Sequence, residues 1–444
     1  MVRGGAGAGS RAPSFLASAV ATYATNLGVA VLSLLNVLLV ARALGPVGRG
    51  DVAFLTTIAI LTSNLATLGV EQANANLTGR RPELRASLAT NSLLLALLLG
   101  VAAAGAVAGL IAAFPALAGE SEPALRWLVL AALPALVLKL YLDYSVRADY
   151  GYAYANVAWS LEAITNVTVN GTLFALGLLS VGTAVATWLA GQLLATLVLL
   201  AFIVRRAAGF GRPDLGLARH ALGFGLKTHA GRIMTLGNYR LDQWFVGAIS
   251  GSRELGLYSV AVAWAEALFY LPTALTLAQR PDLVRASPAE AARQAAAATR
   301  VALLVTLPTA IGFALAAPFL TVVVFGEEFR ESIPQLRVLA FGGFGIVLLK
   351  LLGNALTAQG RPLRATAGVG VAFVATVALD IALIPPYGGL GAAIASTAAY
   401  SAAGLAIAVL FGRALGVGPA QLVPRPSDLR LLGEAVARVR ARRG

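Results

Sequence analysis

Apolar residues run along this chain in stretches of about 20, which short clusters of Gly, Pro and charged residues separate. A stretch of that length spans the hydrocarbon core of a bilayer as an α-helix. We therefore predict an all-α polytopic membrane protein with about twelve transmembrane helices. The predicted spans are 15–40, 51–70, 86–113, 124–147, 152–177, 181–206, 222–249, 253–278, 297–324, 332–357, 364–384 and 388–411.

Lys and Arg fall mostly on one side of this helix arrangement. With the N-terminus placed in the cytoplasm, 23 of the 34 Lys and Arg residues lie in or beside cytoplasmic segments, and six lie on the other side. Because short cytoplasmic loops carry an excess of Lys and Arg, we expect a multi-pass protein of the cytoplasmic (inner) membrane with both termini in the cytoplasm. The first apolar run is long enough to span the membrane, which argues against a cleaved signal peptide.

The second half of the chain repeats features of the first. LKLYLDYSVRADYG (138–151) aligns with LKLLGNALTAQGRP (349–362), which places Lys139 on Lys350. Equivalent helices are six apart, so both halves have the same orientation, and transport sites lie between such repeats. We predict two parallel-related six-helix lobes. The predicted units are a cytoplasmic N-terminus (1–14), an N-lobe (15–206), a cytoplasmic linker (207–221), a C-lobe (222–411) and a basic cytoplasmic tail (412–444).

Composition excludes several classes of function. Only 12% of the residues are charged, about half the fraction in soluble domains. The net charge of +14 resides in short loops, so we expect no nucleic-acid partner. The chain has no Cys and two His, and it lacks phosphate-loop and nucleophile-elbow motifs. We expect no metal, no cofactor, no catalytic residue and no enzymatic activity. The end of the tail (427–444) predicts an amphipathic segment on anionic headgroups or a solvated tail.

The predicted seventh helix carries charges at membrane depth. Arg232, Arg240 and Asp242 lie in GRIMTLGNYRLDQWFVGAIS (231–250), where each charge costs about 2.5 to 3.5 kcal/mol on insertion scales. At 100° per residue they share a broad polar face, so this helix faces protein or water rather than lipid. A buried ion pair that ties helices together is one interpretation. Because the cations outnumber the carboxylate, the pattern favours an anionic ligand.

The other charged residues inside predicted helices extend this polar lining. All three lysines, Lys139, Lys227 and Lys350, lie within predicted spans, where they either line a cavity or extend to the headgroups. Asn36 lies on a polar side of the first helix and adds to the lining. Acidic residues in apolar runs are candidates for ion coupling. These are Asp143, Glu162, Asp380 and Glu71.

Several segments resemble one family. They are ARALGPVGRGDVA (41–53), LATLGVEQANANL (65–77), NYRLDQWFVGAIS (238–250) and NALTAQGRPLRAT (354–366). Their spacing is similar to that of polysaccharide-biosynthesis, O-antigen-type lipid-linked oligosaccharide flippases. These belong to the multidrug/oligosaccharidyl-lipid/polysaccharide exporter superfamily.

The resemblance implies two six-helix lobes, alternating access and a lumen lined by basic residues. The substrate would be a polyprenyl-diphosphate-linked glycan, taken up from among the membrane lipids by a functional monomer. Coupling, if present, would use a proton or Na⁺. The family pattern implies that Arg42 lines the lumen, as do Arg232, Arg240, Asp242 and Lys139.

Two other functions stay open at this point. One is an ion-coupled exporter of amphipathic small molecules on the same scaffold. Drug exporters of the superfamily often have an acidic residue in the first helix, where this chain has Asn26 and Asn36. The other is a membrane glycosyltransferase or polymerase of the same pathway, which would need a large extramembrane loop or a loop-borne pair of carboxylates.

Overall fold

The computed structural model describes residues 15–207 and 209–428, and these form helices joined by short turns, with no strand among them. The predicted all-α class is confirmed. The N-terminus at 1–14 and the predicted amphipathic segment after residue 428 lie outside the described residues. The helices are α1 (Phe15–Ala66), α2 (Val70–Arg80), α3 (Arg85–Ala113), α4 (Pro123–Ala131), α5 (Leu133–Ala148), α6 (Tyr152–Ala175), α7 (Val181–Ala207), α8 (Leu215–Ile249), α9 (Gly251–Ala265), α10 (Tyr270–Arg285), α11 (Pro288–Pro318), α12 (Ser332–Ala358) and α13 (Pro362–Leu415).

The two longest helices, α1 and α13, each bend sharply at a glycine. Gly45 has φ 63° and is followed by Pro46, and Gly388 has φ 54° and follows Pro385 and Pro386. A residue with a Cβ would be strained at such a φ, and proline supplies no N–H for the helical ladder. Each of these helices therefore contains two consecutive predicted spans.

Eight segments of the described chain are long and apolar enough to cross a membrane. Two of them, Ala24–Ala66 and Pro362–Leu415, contain the glycine bends. The more polar helices α6 and α8 correspond to the predicted fifth and seventh spans and are not among the eight. The structure therefore describes a multi-pass membrane protein, and the count of twelve crossings stays a prediction.

The bundle has two ends. The turns at Gly45, Gly251 and Gly388 lie close to Glu328, Glu120 and Glu254 respectively, and they define what we call the Gly45 end. The turns near Arg81, Gly151 and Arg361 lie at the opposite end, which we call the Arg81 end. The predicted topology places the Arg81 end in the cytoplasm.

The first half of the chain comprises α1–α7 and the second comprises α8–α13. One apolar core lies mainly in the first half and includes Ala221 of α8, and another lies in the second half. A third core, which includes Phe54, Leu255 and Ile384, joins the halves near the Gly45 end. The turn between the halves is shorter than the predicted linker, because Asp214 caps α8 by accepting the Leu217 N–H at 3.0 Å. The lobe boundaries themselves stay a prediction.

Candidate functional site: a cavity between the halves

A central cavity lies between the two halves of the chain. It has a larger part of about 910 Å³ and a smaller part of about 220 Å³. Ala30, Ser33, Arg240, Glu266 and Tyr270 line both parts. Since α1 belongs to the first half and the last three residues belong to the second, the cavity lies on the interface that the repeat predicts.

Interrupted helices shape this cavity. A 3₁₀ turn, Glu266–Phe269, separates α9 from α10 and carries the lining residue Glu266. Backbone that leaves the α-helix at membrane depth is tolerated where it is buried in protein or lines a hydrated cavity. The larger part of the cavity is also lined by Ala148 and Tyr152, beside the turn from α5 to α6. It therefore extends toward the Arg81 end.

Arg240 forms an ion pair with Glu266 across the cavity wall. Nη1 of Arg240 lies 2.7 Å from Oε1 of Glu266, and Nη2 lies 3.5 Å from Oε2. Both side chains remain partly exposed. The sequence suggested Asp242 as the carboxylate that could pair with Arg240. The structure instead brings Arg240 to Glu266, in the 3₁₀ turn after α9.

Arg49 also lines the smaller part of the cavity, and it has no ion-pair partner. None of the ion pairs among the described residues includes it. Its Nε atom is buried and makes no hydrogen bond to a described residue. The residue as a whole is half-buried, and a half-buried cation without a carboxylate attracts an anion or water. This part of the cavity is therefore suited to an anion.

The first half of the chain supplies a second charged group to the larger part. Arg147 Nε lies 3.0 Å from Asp143 Oδ2, one helical turn away on α5. The indole Nε1 of Trp159 donates to the other carboxylate oxygen of Asp143 at 3.2 Å. The Arg147 guanidinium also lies 5.7 Å from the centre of the Trp159 ring, within the range of cation–π contacts. Asp143 is a sequence-predicted candidate that the structure brings to the cavity.

The lining of the two parts carries three arginines and two carboxylates among the described residues. Two of the arginines are paired, so the net charge of one positive unit is associated with Arg49. Inside a membrane protein, charges interact more strongly than in water because the surrounding dielectric constant is low. A single uncompensated cation is therefore enough to favour an anionic ligand.

Arg232 and Glu71, two further predicted candidates, meet outside these two parts. Arg232 Nε lies 3.1 Å from Glu71 Oε1, and Arg232 Nη2 donates to Thr67 Oγ1 at 3.1 Å. Glu71 is fully buried, and neither of its oxygens makes an aligned hydrogen bond to a described residue. The pair links α2 to α8, and thereby one half of the chain to the other.

Lys139 and Glu162 form an ion pair inside the first half. Lys139 also donates to Gln192 Oε1 at 2.6 Å, and Gln192 donates to Glu162 in turn. These three side chains connect α5, α6 and α7. They do not line the two parts of the cavity.

Asp242 and Asp380 are buried within the second half. Asp242 accepts hydrogen bonds from Tyr258 at 2.6 Å and from Ser396 at 3.2 Å. Both carboxylate oxygens of Asp380 lack a hydrogen-bond partner among the described residues. In the described part of the chain, no group of three or more His, Cys, Asp or Glu residues could hold a metal ion.

The two other lysines occupy different surroundings. Lys350 donates to Thr273 Oγ1 at 2.7 Å and lies 6.0 Å from the Phe269 ring centre. It is therefore held within the second half, whereas its repeat counterpart Lys139 has an acidic partner. Lys227 is exposed on α8. Neither Lys227 nor Lys350 lines the two parts of the cavity.

Arg42 and Asn36, on α1, bind other helices. Arg42 donates to the carbonyl oxygens of Val324 and Val323, at 2.8 and 2.5 Å, in the helical turns that follow α11. Asn36 accepts a hydrogen bond of 2.7 Å from Asn170 on α6. Both residues thus join helices in this structure and lie outside the cavity.

Sequence patterns did not single out Arg49, Glu266, Trp159 or Tyr270. A signal was present for Glu266, because it is an acidic residue inside an apolar run, like Glu162 and Asp380. Arg49 follows a Gly-Pro turn signal, so the sequence predicts a loop there. The structure resumes the helix at that point.

Comparison with known proteins places the chain in a family. Residues 39–334 match a family model described as polysaccharide biosynthesis protein, which covers more than half of the chain. No curated protein matches the chain in sequence.

Solved structures show the same fold. The lipid II flippase MurJ, in an inward closed conformation, superposes with a TM-score of 0.72 at 14% identity, over 90% of this chain and 88% of that chain. An inward-facing multidrug resistance MATE family transporter of the MOP superfamily gives 0.65 at 15% identity, over 89% and 98%. A MOP superfamily transporter from Pyrococcus furiosus, described as having a binding pocket of reverse polarity, gives 0.55 at 16%, over 90% and 95%. At these identities the likeness establishes the fold.

Proposed function

This chain belongs to the polysaccharide biosynthesis protein family, and from that membership we propose that it is a flippase for a polyprenyl-diphosphate-linked oligosaccharide. It transfers this lipid from the inner to the outer leaflet of the cytoplasmic membrane by alternating access. The chain acts as a monomer and performs no covalent chemistry. The two six-helix lobes and the cytoplasmic position of both termini are part of the proposal.

The observation that carries this proposal is the unpaired Arg49 in a cavity between the halves. A diphosphate is the anionic group that every polyprenyl-diphosphate-linked glycan shares. Its oxygens accept hydrogen bonds in the fork geometry that guanidinium groups offer. Arg240 lies in the same part of the cavity and contributes when its pairing with Glu266 loosens.

The shape of the cavity supports the direction of loading. Its larger part extends toward the Arg81 end, which the Lys and Arg distribution assigns to the cytoplasm. The glycan and diphosphate enter the cavity from that side, and the polyprenyl chain stays among the lipid tails. Movement of one half against the other then opens the Gly45 end.

Coupling to a proton or to Na⁺ involves the buried carboxylates of the second half in this proposal. The sequence singles out four acidic residues. Among them, in the described part of the chain, only Asp380 is buried, lacks a hydrogen-bond partner on both carboxylate oxygens and has no cation within ion-pair distance. A buried carboxylate in that state binds a proton or attracts a small cation. Asp380→Asn is expected to abolish dependence of transport on the ion gradient.

Reconstitution tests the proposal. Wild-type protein in liposomes is expected to move a labelled polyprenyl-diphosphate glycan between leaflets, and Arg49→Gln is expected to lower the rate at least about tenfold. That factor corresponds to the loss of one charge-assisted hydrogen bond. Arg330→Gln is the control, because Arg330 is exposed and paired with Glu327 outside the cavity. Equal rates for Arg49→Gln and Arg330→Gln would contradict the role of Arg49, and no flipping by the wild type would contradict the function.

The sign of the cavity charge favours the proposed flippase over an exporter of organic cations. Such an exporter would need a surplus of carboxylates in its lining, and the described lining has a surplus of arginine. The same liposomes loaded with a fluorescent organic cation are therefore expected to retain it.

A further inference from the structure

The first half of the chain supplies one wall of the larger part of the cavity with aromatic rings. Tyr144, Tyr152 and Trp159 line it from α5 and α6. Trp159 is 41% exposed although its indole N–H is held by Asp143. A large aromatic ring that is exposed within a cavity and fixed in orientation offers a flat surface to a ligand.

The charges of this wall neutralise each other. One oxygen of Asp143 accepts from Arg147 and the other accepts from Trp159, so both oxygens have partners before any substrate arrives. The Arg147–Asp143 pair adds no net charge to the wall. The net positive charge of the cavity belongs to Arg49, in the part that this wall does not line.

Sugar rings suit such a surface. Their C–H faces pack on the electron-rich faces of aromatic rings, and their hydroxyl groups exchange hydrogen bonds with carboxylate and guanidinium groups. Acidic sugars would instead need an unpaired cation, and each arginine that lines the larger part is already paired with a carboxylate. The volume of about 910 Å³ lies at the upper end of the usual range for ligand sites.

We propose that the wall formed by Trp159, Tyr144, Tyr152 and the Arg147–Asp143 pair is a subsite for uncharged sugar residues next to the diphosphate. This inference rests on the proposed flippase function and narrows its substrate to neutral glycans. The diphosphate binds at Arg49 and Arg240, and the sugars that follow it stack on Trp159. Selectivity for the glycan and affinity for the lipid carrier then reside in different parts of one cavity.

Binding to purified protein in nanodiscs tests the subsite with three probes. These are a polyprenyl diphosphate without sugar, the same lipid bearing a neutral disaccharide, and the same lipid bearing a uronic-acid disaccharide. Wild-type protein is expected to bind the neutral glycan lipid about tenfold more tightly than the bare lipid, as a stacking contact supplies. The acidic glycan lipid is expected to bind no better than the bare lipid.

Substitution of the stacking ring separates the subsite from the diphosphate site. Trp159→Leu is expected to remove the tenfold preference for the neutral glycan and to leave binding of the bare lipid within about twofold of the wild type. Trp159→Phe keeps a ring and is expected to retain most of the preference. Trp127→Leu is the matched control, because Trp127 is exposed on α4 and lies outside the cavity.

The outcomes distinguish this inference from the proposed function. If the wild type binds all three lipids equally, or prefers the acidic glycan, the neutral-sugar subsite is wrong and the flippase function stands. The same conclusion follows if Trp159→Leu and Trp159→Phe both keep the preference. If the wild type binds none of the three lipids, the proposed function fails and the subsite fails with it.

Discussion

The halves of the chain meet at two close contacts, one at the Gly45 end and one between α2 and α8. At the Gly45 end, a Cβ added to Gly50 would lie 1.7 Å from the Ser252 carbonyl oxygen, and a Cβ added to Gly256 would lie 1.8 Å from the Pro46 carbonyl oxygen. Glycine thus allows α1 and α9 to touch backbone to backbone. We call this the Gly45-end contact.

The α2–α8 contact uses the same arrangement. A Cβ on Gly69 would lie 2.3 Å from the Gly225 carbonyl oxygen, and a Cβ on Gly225 would lie 2.5 Å from the Leu68 carbonyl oxygen. Both contacts therefore depend on glycines that permit close approach, and neither tolerates a side chain at these positions.

Their polar groups differ. At the Gly45-end contact, the Ser252 hydroxyl donates to Asp51 at 2.5 Å and its backbone N–H donates to Glu120 at 2.9 Å. At the α2–α8 contact, the buried Glu71 faces the cation Arg232. Water can replace the donors that Ser252 provides. A buried carboxylate next to a buried guanidinium depends on its partner much more strongly. In the proposed cycle we therefore expect the Gly45 end to separate while the charges near the α2–α8 contact stay paired.

The largest effect is expected from Gly50→Ala, because the new methyl group would overlap the Ser252 carbonyl oxygen and only backbone movement could relieve it. The Gly45-end contact should open. The chain has no cysteine, and Ser33 lines both parts of the cavity. The substitution Ser33→Cys therefore provides a single labelling site inside the cavity. Labelling by an impermeant maleimide from the Gly45 side should become at least about tenfold faster, in line with a contact weakened by more than about 1.4 kcal/mol.

Gly105→Ala is the matched control for that experiment. Gly105 also lies in a helix, and a Cβ there would meet nothing within 4 Å. Equal labelling rates in Gly50→Ala and Gly105→Ala would show that the Gly45-end contact does not close the cavity.

The next largest effect is expected from Glu71→Gln, which leaves the Arg232 cation without a carboxylate. Removal of one partner of a buried pair costs about 3 kcal/mol or more, so the unfolding midpoint in detergent should fall. The double variant Glu71→Leu with Arg232→Met should recover most of the loss, since an apolar pair of similar volume needs no partner.

An exposed ion pair calibrates this prediction. Arg253 and Glu331 lie 2.8 Å apart on the surface, and Glu331→Gln should cost less than about 1 kcal/mol. If Glu71→Gln and Glu331→Gln are equally mild, the buried pair does not stabilise the α2–α8 contact in the way we infer.

A smaller effect is expected from Ser252→Ala. The substitution removes the hydroxyl that donates to Asp51 and keeps the backbone N–H that donates to Glu120. Loss of one such hydrogen bond costs about 1 to 2 kcal/mol. In thermal unfolding measurements, Ser252→Ala should therefore lower the stability less than Glu71→Gln does. Ser401→Ala is the control, because the Ser401 hydroxyl bonds only within its own helix, to the Thr397 carbonyl oxygen. If Ser252→Ala lowered the stability more than Glu71→Gln does, the polar groups at the Gly45-end contact would be the more important ones.

The comparison also shows what the sequence could predict. Polar positions within apolar helices are sufficient to indicate Arg232, Arg240, Glu71 and Asp143, because charge inside a membrane span is costly and has to be accounted for. The partners could not be assigned, since Glu71 and Arg232 are distant in the sequence and meet only because the Gly69–Gly225 approach brings α2 onto α8.

The same limit explains Arg49. Its segment, GPVGRGD, has the composition of a loop, yet the chain is helical on both sides of the Gly45 bend. Bending at a single glycine leaves Arg49 on a helix that faces the cavity rather than on an outer loop. The class of fold follows from local patterns, whereas the proposed anion site follows from a bend angle that no local pattern specifies.

The smallest effect concerns a contact within one half. Asp428 accepts from Arg300 Nε at 2.9 Å and from the Arg425 backbone N–H at 2.8 Å, which holds the start of the tail on α11. The hydrogen bond from Arg300 holds the pKa of Asp428 below its ordinary value. Because the pKa of Asp428 is lower in the folded protein than in the unfolded chain, its carboxylate stabilises the contact at pH values above the unfolded pKa of about 3.9. This stabilisation is lost as the pH falls through the pKa of Asp428 in the folded protein.

A dye on Ser427→Cys should therefore keep its high anisotropy from neutral pH to about pH 4 and lose it below. With Asp428→Asn added, the anisotropy should be low at every pH, because no carboxylate remains to bind Arg300. Neither change should alter maleimide labelling at Ser33→Cys, since the tail contact lies outside both inter-half contacts. Faster labelling in Asp428→Asn would mean that the start of the tail also controls access to the cavity from the Gly45 end. The two inter-half contacts would then not be sufficient to explain how the cavity is closed.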